Sequence, residues 1–377
     1  MRALVTGGAG LIGSHVVERL LERGDDVRVI DSLSPPCHAE PRAPAWLPRD
    51  VEFMHADVTD RDALARALAG VDVVFHFAAA QGLLPEFSRF WHVNAAGTAL
   101  IYETIVQQRL SVRKVIISSS QAVYGEGRYA CPEHGEVYPE ARPLQRLEAG
   151  LWEHACLRCG AQLQPLATPE DVVRPATMYA QSKYSQETIG LHLGETYQVP
   201  TVCLRYAITQ GPRQSLSNAY SGVCSIFATR IAAGGPPIIY EDGRQTRDYL
   251  SASDVADANL FVMDRPEADS GVFNVGTGKA ITVLELVAEI GRQLGRAVEP
   301  QVVGQFRLGD IRHFRPDVSR LAALGWRARD TLDVTVRRYI EWFSGQGEVP
   351  DRFAEAERSM QRLGVVRSVR AGERSVA

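Results

Sequence analysis

Short apolar runs alternate with amphipathic stretches over the first 125 residues of the chain. The runs "RALVTG", "DVRVID" and "RKVIISSS" are rich in β-branched residues and have the length of buried strands. Between them, Leu11 to Arg23 and Asp60 to Ala69 have helical length and spacing. This alternation predicts an α/β protein built on a doubly wound parallel sheet. Further predicted elements are the strands "VEFMHADV" and "VDVVFHFAA" and a helix over Asn94 to Gln108.

The alternation stops after Gly125, where about fifty residues rich in Pro, Glu and Arg contain no convincing periodic element. It resumes at Met178 with a long helix and continues with the strand "PTVCLRY". A loop-rich stretch over 211–220 and mixed α and β segments to about residue 344 follow. One predicted helix then precedes "VRSVRAGERSVA", which has the composition of a mobile tail.

Composition and charge exclude several classes of protein. The 377 residues are 45% hydrophobic and 23% charged, as in ordinary globular proteins, and the net charge of -4 does not favour nucleic acid or an anionic membrane. The chain opens on a strand pattern rather than a signal peptide, and it contains no membrane-length apolar run. We therefore expect a cytoplasmic location. Six cysteines are too few for a disulfide scaffold, so close pairs favour metal binding.

The first candidate site is the glycine-rich "VTGGAGLIGSH", which follows a predicted strand and opens a predicted helix. Gly7, Gly10 and Gly13 allow a tight turn and close approach of a pyrophosphate to the helix N-terminus. Asp31 ends the second strand, where its carboxylate can bind the adenosine ribose and repel a 2′-phosphate. This pattern predicts NAD rather than NADP. The alternative for Asp31 is a cap of the turn that follows.

The second candidate site combines "SSSQAVYG" with "MYAQSK". Tyr179 and Lys183 are four residues apart on a predicted helix and therefore share one face. A nearby ammonium and an oxidised nicotinamide would favour the phenolate, which makes Tyr179 a candidate base. Ser120 ends a strand at the carboxyl edge of the sheet, where ligands bind in such folds. The alternative is an exposed helix face without a catalytic role.

These motifs, together with "RQTRDYLSASDVADA" and "FNVGTG", resemble the NAD-dependent sugar epimerase/dehydratase family of extended short-chain dehydrogenases/reductases. The resemblance implies a Rossmann domain, a smaller C-terminal α/β substrate domain, and a homodimer formed through the helices beginning near Asn94 and Met178. The expected division is 1–125 with 176–211 and about 252–275 for NAD binding, 126–175 as an insert, 212–251 with 276–344 for the substrate, and 345–377 as a helix and flexible tail.

The resemblance also implies site residues. The catalytic set is Ser120, Tyr179 and Lys183, and Arg247 and Arg307 bind the diphosphate of a nucleotide sugar. The residues implied for NAD are Gly7, Gly10, Leu11, Ile12, Gly13, Asp31, Asp57, Val58, Ala78, Asn94, Tyr179 and Lys183.

Two departures from the family pattern affect the expected reaction. Family dehydratases carry Asp-Glu where this chain has Gln121 and Ala122, and neither side chain can act as a general acid or base. Ile208 replaces an asparagine that meets the nucleotide sugar in 4-epimerases, so the substrate stays open. We expect NAD-dependent epimerisation, at C4, through a transient keto intermediate. A 4-ketoreductase, a dehydratase and a non-catalytic nucleotide-binding scaffold are the alternatives.

The region without periodicity contains two pairs of metal-binding residues. Cys131 and His134 in "CPEHG" are separated by two residues, as are Cys156 and Cys159 in "CLRCG". Four such ligands predict a zinc-ribbon-like insert with a structural zinc ion. Unpaired thiols or a Cys156–Cys159 disulfide are the alternatives, and His154 is expected at the surface. Because the insert leaves after Ser120 and returns before Tyr179, we expect it to form a lid or wall of the substrate site.

Overall fold

The computed structural model describes residues 1–82, 85–216, 218, 222–347, 349, 351 and 353–370. The strands are β1 (Arg2–Thr6), β2 (Asp26–Asp31), β3 (Glu52–His55), β4 (Val73–His76), β5 (Lys114–Ser120), β6 (Tyr129–Cys131), β7 (Gly135–Val137), β8 (Gln164–Pro165), β9 (Thr201–Tyr206), β10 (Ile208–Gln210), β11 (Ile238–Ile239), β12 (Thr246–Arg247), β13 (Tyr249–Ser251), β14 (Val272–Val275), β15 (Ile281–Thr282), β16 (Gln301–Val302), β17 (Gln305–Arg307) and β18 (Val366–Ser368).

The centre of the fold is a seven-stranded parallel sheet. It contains all six strands predicted from the apolar runs and one later strand, in the spatial order β14-β9-β5-β4-β1-β2-β3. The predicted α/β fold with a doubly wound sheet is therefore confirmed.

Helices cover both faces of this sheet, because its strands are apolar on both sides. They are α1 (Leu11–Glu22), α2 (Arg61–Leu68), α3 (Phe87–Phe90), α4 (Gly97–Gln107), α5 (Leu144–Glu148), α6 (Met178–Tyr197), α7 (Val223–Ala232), α8 (Ala252–Met263), α9 (Val283–Gln293), α10 (Ser319–Ala323), α11 (Leu332–Ser344) and α12 (Phe353–Arg362). The helix predicted over Asn94 to Gln108 has a π-helical first part, Trp91–Ala96, before it continues as α4. None of the helices in the described part of the chain combines the length and apolar character that a membrane span requires.

A separate apolar core forms between α7, α9 and α11. Short two-stranded ladders, β10 with β13 and β12 with β15, connect this core to the sheet. The smaller α/β unit expected after residue 211 thus has its own packed centre.

The insert contains more regular structure than its sequence indicates. β6 pairs with β7 and β8 in a three-stranded antiparallel sheet, and α5 lies between β7 and β8 in the chain. The expectation of no periodic element was wrong because strands of two or three residues are too short to show a period.

The C-terminal region also differs from expectation. The predicted helix forms as α12, but Val366–Ser368, assigned to a mobile tail, pair antiparallel with Gln305–Arg307. A hydrogen bond of 2.9 Å from Val369 N to Gly304 O extends this pairing. The rest of the predicted tail, residues 371–377, lies outside the described residues.

Candidate active site

A cavity of about 1010 Å³ opens at the carboxyl edge of the sheet, where the strand order reverses between β1 and β4. This is the place at which doubly wound sheets bind their ligands. Most residues predicted for the site line it, namely Gly7, Gly10, Leu11, Ile12, Gly13, Asp31, Asp57, Val58, Ala78, Ser120, Tyr179, Lys183 and Arg247. Asn94 and Arg307 are not part of its wall.

The glycine loop can approach a ligand closely because its own packing leaves no room for side chains. A Cβ atom on Gly13 would lie 2.3 Å from Gly7 O, and one on Gly7 would lie 2.7 Å from Ala78 N. Gly7 also has a φ of 68°, which favours glycine. α1 begins at Leu11 without a side-chain cap, so its first backbone N–H groups remain available to an anion.

Asp31 lies at the end of β2 with its side chain 8% exposed. Its Oδ2 accepts a hydrogen bond from Ala9 N at 3.0 Å, and its Oδ1 accepts one from Leu33 N at 2.9 Å. The carboxylate therefore caps the following turn and supports the glycine loop while it faces the cavity. The two roles considered for Asp31 are compatible.

Asn94 acts from behind the cavity wall. It is fully buried in the π-helical segment, where its Oδ1 accepts from Ala80 N at 2.7 Å and its Nδ2 donates to Ala80 O at 3.0 Å. Nδ2 also donates to Ser182 Oγ at 2.9 Å. Asn94 thus ties the wall residue Ala80 to α6, which carries Tyr179 and Lys183.

Ser120 and Tyr179 meet in the cavity. β5 ends at Ser120, and Thr177 begins α6 by accepting a hydrogen bond from Ala180 N at 3.1 Å, which places Tyr179 in the first turn. Burial raises the pKa of the Tyr179 phenol, and its hydrogen bond with Ser120 opposes that shift. The two hydroxyl groups can therefore act on one substrate oxygen.

Lys183 lies one turn further along α6 and is 2% exposed. Burial lowers the pKa of its ammonium to about 7, while the nearby Glu187 carboxylate opposes the shift. Its Nζ donates to Gln186 Oε1 at 2.6 Å and to Ser118 Oγ at 3.3 Å. These partners, rather than the expected phenol of Tyr179, hold the lysine in this structure.

A buried polar network behind Lys183 was not anticipated from the sequence. Gln186 Nε2 donates to Thr98 Oγ1 at 2.9 Å and lies 3.1 Å from His76 Nε2, and His76 Nδ1 lies 2.8 Å from Thr6 Oγ1. Burial, together with the positive charge of Lys183, lowers the pKa of His76 to about 3, so this imidazole is neutral. The only sequence signal was the position of Gln186 one turn after Lys183 on the same helix.

The two arginines expected at the diphosphate have different surroundings. Arg247 lines the cavity, and its guanidinium donates to the backbone carbonyls of Thr246, Ile311 and Arg312. Arg307 lies outside the cavity wall, where its Nε donates to Asp310 Oδ2 at 2.8 Å and its guanidinium lies over the Tyr240 ring. The structure therefore brings only Arg247 to the other site residues.

The insert does not form the expected lid. All of residues 126–175 are described, and none of them lines the cavity. Arg142 of the insert instead makes two hydrogen bonds to Glu241, at 2.9 and 2.8 Å, and Glu241 also binds the fully buried Arg312 at 3.0 Å. Arg142 Nη2 also donates to Asp310 O at 2.8 Å, so the insert supports the segment Leu308 to Ile311, which does line the cavity.

His154 belongs to the same polar network rather than to the surface. It is 5% exposed, and its Nε2 lies 3.0 Å from Glu126 Oε2. The expectation of a surface histidine was wrong because Tyr129 and Glu126 cover the ring.

The four predicted metal ligands come together at the end of the insert. Their ligand atoms all lie within 4.8 Å of one another, with 3.4 Å from Cys131 Sγ to His134 Nδ1 and 3.5 Å from Cys131 Sγ to Cys159 Sγ. Tetrahedral zinc with bonds of about 2.0 to 2.3 Å separates its ligands by roughly 3.5 Å, so the arrangement fits that ion. All six cysteines are unpaired, which does not match the alternative of a Cys156–Cys159 disulfide.

Comparisons with known proteins agree with this geometry. Residues 3–148 and 160–276 match the NAD dependent epimerase/dehydratase family, with the interruption inside the insert. The chain is 36% identical over 350 residues to the dTDP-L-rhamnose 4-epimerase of Burkholderia thailandensis, covering 91% of this chain and 95% of that protein. The structure of the UDP-glucose 4-epimerase of Thermotoga maritima with UDP-glucose has a TM-score of 0.75 and 30% identity, covering 92% of this chain and 99% of the other. The UDP-glucose 4-epimerase of Thermus thermophilus in complex with NAD has a TM-score of 0.71 and 29% identity, covering 92% and 100%.

Proposed function

Because the chain belongs to the NAD dependent epimerase/dehydratase family, we propose that it is an NAD-dependent enzyme that epimerises a nucleotide-activated sugar at C4. The observation that carries the proposal is that Ser120, Tyr179 and Lys183 line the same cavity as the glycine loop and Asp31. The 4-epimerases found among its relatives and structural neighbours support the same reaction.

The cavity fits NAD on its own geometry. The glycine loop leaves space that a Cβ atom would fill, α1 presents free backbone N–H groups, and Asp31 lies at the end of β2. Leu11, Ile12, Val58 and Ala78 would pack against the dinucleotide, and Lys183 would bind the nicotinamide ribose. When bound, NAD supplies a hydride acceptor and donor for the sugar carbon, so no net reductant is consumed.

Tyr179 and Ser120 then carry the proton chemistry. Tyr179 takes the proton of the sugar hydroxyl as a carbonyl forms, and it returns that proton when the other face of the keto sugar is reduced. Ser120 donates a hydrogen bond to the same oxygen. Burial raises the pKa of the Tyr179 phenol above its ordinary value, so positive charge from Lys183 and the oxidised cofactor would be needed to favour the phenolate.

Gln121 and Ala122 line the cavity beside Ser120 and offer no acid or base for water elimination. Ile208 also lines it and gives this wall an apolar side chain. The site therefore favours epimerisation over dehydration. We also propose that Arg247, and Arg307 after a rotation away from Asp310, bind the substrate diphosphate.

The test of the reaction is its redox balance. The protein is incubated with a panel of UDP- and dTDP-sugars, deoxysugars included, with catalytic NAD and no reductant, and the C4 configuration is followed by NMR. We expect two C4 epimers to interconvert to equilibrium. Oxidation of NADH or NADPH in step with product, with no epimer formed in its absence, would instead identify a 4-ketoreductase.

The remaining proposals concern structure and assembly. The distances among Cys131, His134, Cys156 and Cys159 support a structural zinc ion. The homodimer through the helices beginning near Asn94 and Met178, the domain division given above and the cytoplasmic location stay predictions.

A further inference from the structure

The C-terminal arm, which we define as residues 353–370, contributes to the cavity wall. α12 begins the arm and buries Phe353, Ala356 and Met360, and β18 ends it beside β17. Between and along these elements, Leu363, Gly364, Val365 and Arg367 line the same cavity as Ser120 and Tyr179. The sequence predicted neither the strand nor this position.

Contacts on both sides hold the arm at the cavity. Leu308 N donates to Val365 O at 3.0 Å, which joins the arm to the cavity segment 308–311. Arg370 N donates to Glu148 O at 2.9 Å, and the Arg370 guanidinium pairs with the Glu148 carboxylate at 2.6 Å, which joins the arm to α5 of the insert. The arm is therefore a fixed part of the wall that carries Arg247.

Arg367 differs from the other cavity-lining arginines in its hydrogen bonds and ion pairs. Arg213 pairs with Glu18 at 3.1 Å and Arg89 pairs with Glu86 at 3.0 Å, so their charges are already balanced. Arg247 uses its guanidinium donors on backbone carbonyls. Within the described part of the chain, the Arg367 guanidinium makes one hydrogen bond, 3.4 Å from Nε to Gly364 O, and no ion pair.

Apolar side chains line the same cavity as this charge. Leu308 and Leu363 are 39% and 47% exposed, and both line the cavity. Exposed leucines that share a cavity with a guanidinium lacking an ion pair in the described part of the chain suit a ligand that has a flat apolar part and an anionic part. A nucleoside diphosphate has both.

We infer that Arg367 binds the diphosphate of the nucleotide sugar and that Leu308 and Leu363 pack against its nucleoside, so the C-terminal arm forms the nucleotide end of the substrate site. The inference rests on the proposed function for the identity of the substrate. Arg367 provides planar paired donors suited to phosphate oxygens, and it stands in the cavity where the expected Arg307 does not.

The test compares Arg367→Ala with Arg362→Ala, a matched change of an exposed arginine on α12 that does not line the cavity. Binding of uridine diphosphate and thymidine diphosphate to the NAD-loaded protein is measured by calorimetry, and KM and kcat are measured with the sugar nucleotide that turns over. For Arg367→Ala we expect affinity to fall and KM to rise about tenfold or more, with kcat within about twofold. Arg367→Lys should recover part of the affinity, and Arg362→Ala should match the wild type.

Equal affinity and KM in Arg367→Ala and Arg362→Ala would overturn the inference, even if epimerisation is established. A wild-type protein that binds neither diphosphate would overturn it as well. If a diphosphate binds and Arg367→Ala weakens it while no sugar is epimerised, the arm is supported and the proposed reaction is what fails. Unchanged melting temperatures and NAD affinity in both variants show that the fold is intact.

Discussion

Different interactions order the cofactor cradle and the insert at 126–175. We define the cradle as the glycine loop, Asp31 and the carboxyl ends of β1 and β2. The cradle rests on strands buried on both faces and on close backbone packing around Gly7 and Gly13. The insert has a core of only Tyr129, Cys131, Cys156 and Leu163, with Val137 packed against it. So few apolar contacts cannot offset the entropy of ordering fifty residues, and polar interactions must supply the rest.

Those polar interactions include ion pairs that join the insert to Glu241 and Arg312. Arg312 is 0% exposed and contacts Glu241 at 3.0 Å and Asp242 at 2.7 Å, while its Nε donates to Glu153 of the insert at 2.9 Å. Burial alone would raise the pKa of Glu153, but hydrogen bonds from His313 and Arg312 lower it to about 2. Backbone geometry therefore sets the cofactor cradle, whereas a few charges hold the insert against its neighbours.

The largest expected effect is a loss of catalytic rate, from a change that leaves the packing of the glycine loop and the ion pairs of the insert intact. Tyr179→Phe should lower the rate of C4 interconversion by about 10² to 10⁴, because it removes the proton acceptor, while NAD affinity stays unchanged. Tyr184→Phe, on the same helix and outside the cavity wall, is the control. The assay is NMR of the sugar with parallel cofactor titration. Full activity in Tyr179→Phe would contradict the assignment of the base.

The second prediction removes an arginine from the ion pairs that hold the insert. Arg312→Met leaves the buried carboxylate of Glu241 with one partner fewer and should lower the free energy of unfolding by about 3 to 5 kcal/mol. The control is Arg315→Met, an exposed arginine three residues further on. Urea titrations of both variants measure the difference. Equal stability would mean that the network contributes nothing to the fold.

The third prediction tests how Asp31 selects between the two cofactors. Asp31 should make NAD bind at least about tenfold more tightly than NADP, because a 2′-phosphate would meet a buried carboxylate. Asp31→Asn should reduce this ratio, although it also weakens the bonds from Ala9 N and Leu33 N that the carboxylate accepts. Asp26→Asn, at the exposed start of β2, is the control for a change of net charge. Equal affinities of the wild type for the two cofactors would refute the role of Asp31.

Features of the fold that depend on neighbouring residues could be predicted from the sequence. The six apolar runs became strands of the large sheet, and the glycine loop lies where its motif indicates, because both signals are local. The pairing of β18 with β17 joins segments about sixty residues apart, and neither segment signals the other.

The sequence also did not reveal which side chains from distant parts of the chain would pair with one another. The insert was expected over the substrate because its two ends are tied to Ser120 and Tyr179. It lies against residues 310–316 instead, since Arg142 Nη2 donates to Asp310 O at 2.8 Å and Thr168 N donates to Arg315 O at 2.8 Å. Likewise, the motif around Arg307 does not reveal that Asp310 holds its guanidinium outside the cavity.

The smallest expected effect on turnover comes from the metal site, even though its effect on local order is large. Cys156→Ser should lower zinc from about one ion per chain and speed hydrogen exchange across 126–175, because the short strands of the insert have few other contacts. Since none of those residues lines the cavity, kcat should fall by no more than about threefold, a loss that corresponds to less than about 1 kcal/mol. Leu157→Ser makes the same substitution at the adjacent position, whose side chain is 95% exposed, and should leave zinc and exchange unchanged. Elemental analysis and exchange mass spectrometry measure the two quantities. Wild-type protein without zinc would refute the metal site, whereas a loss of turnover as large as that of Tyr179→Phe would show that the insert takes part in the chemistry after all.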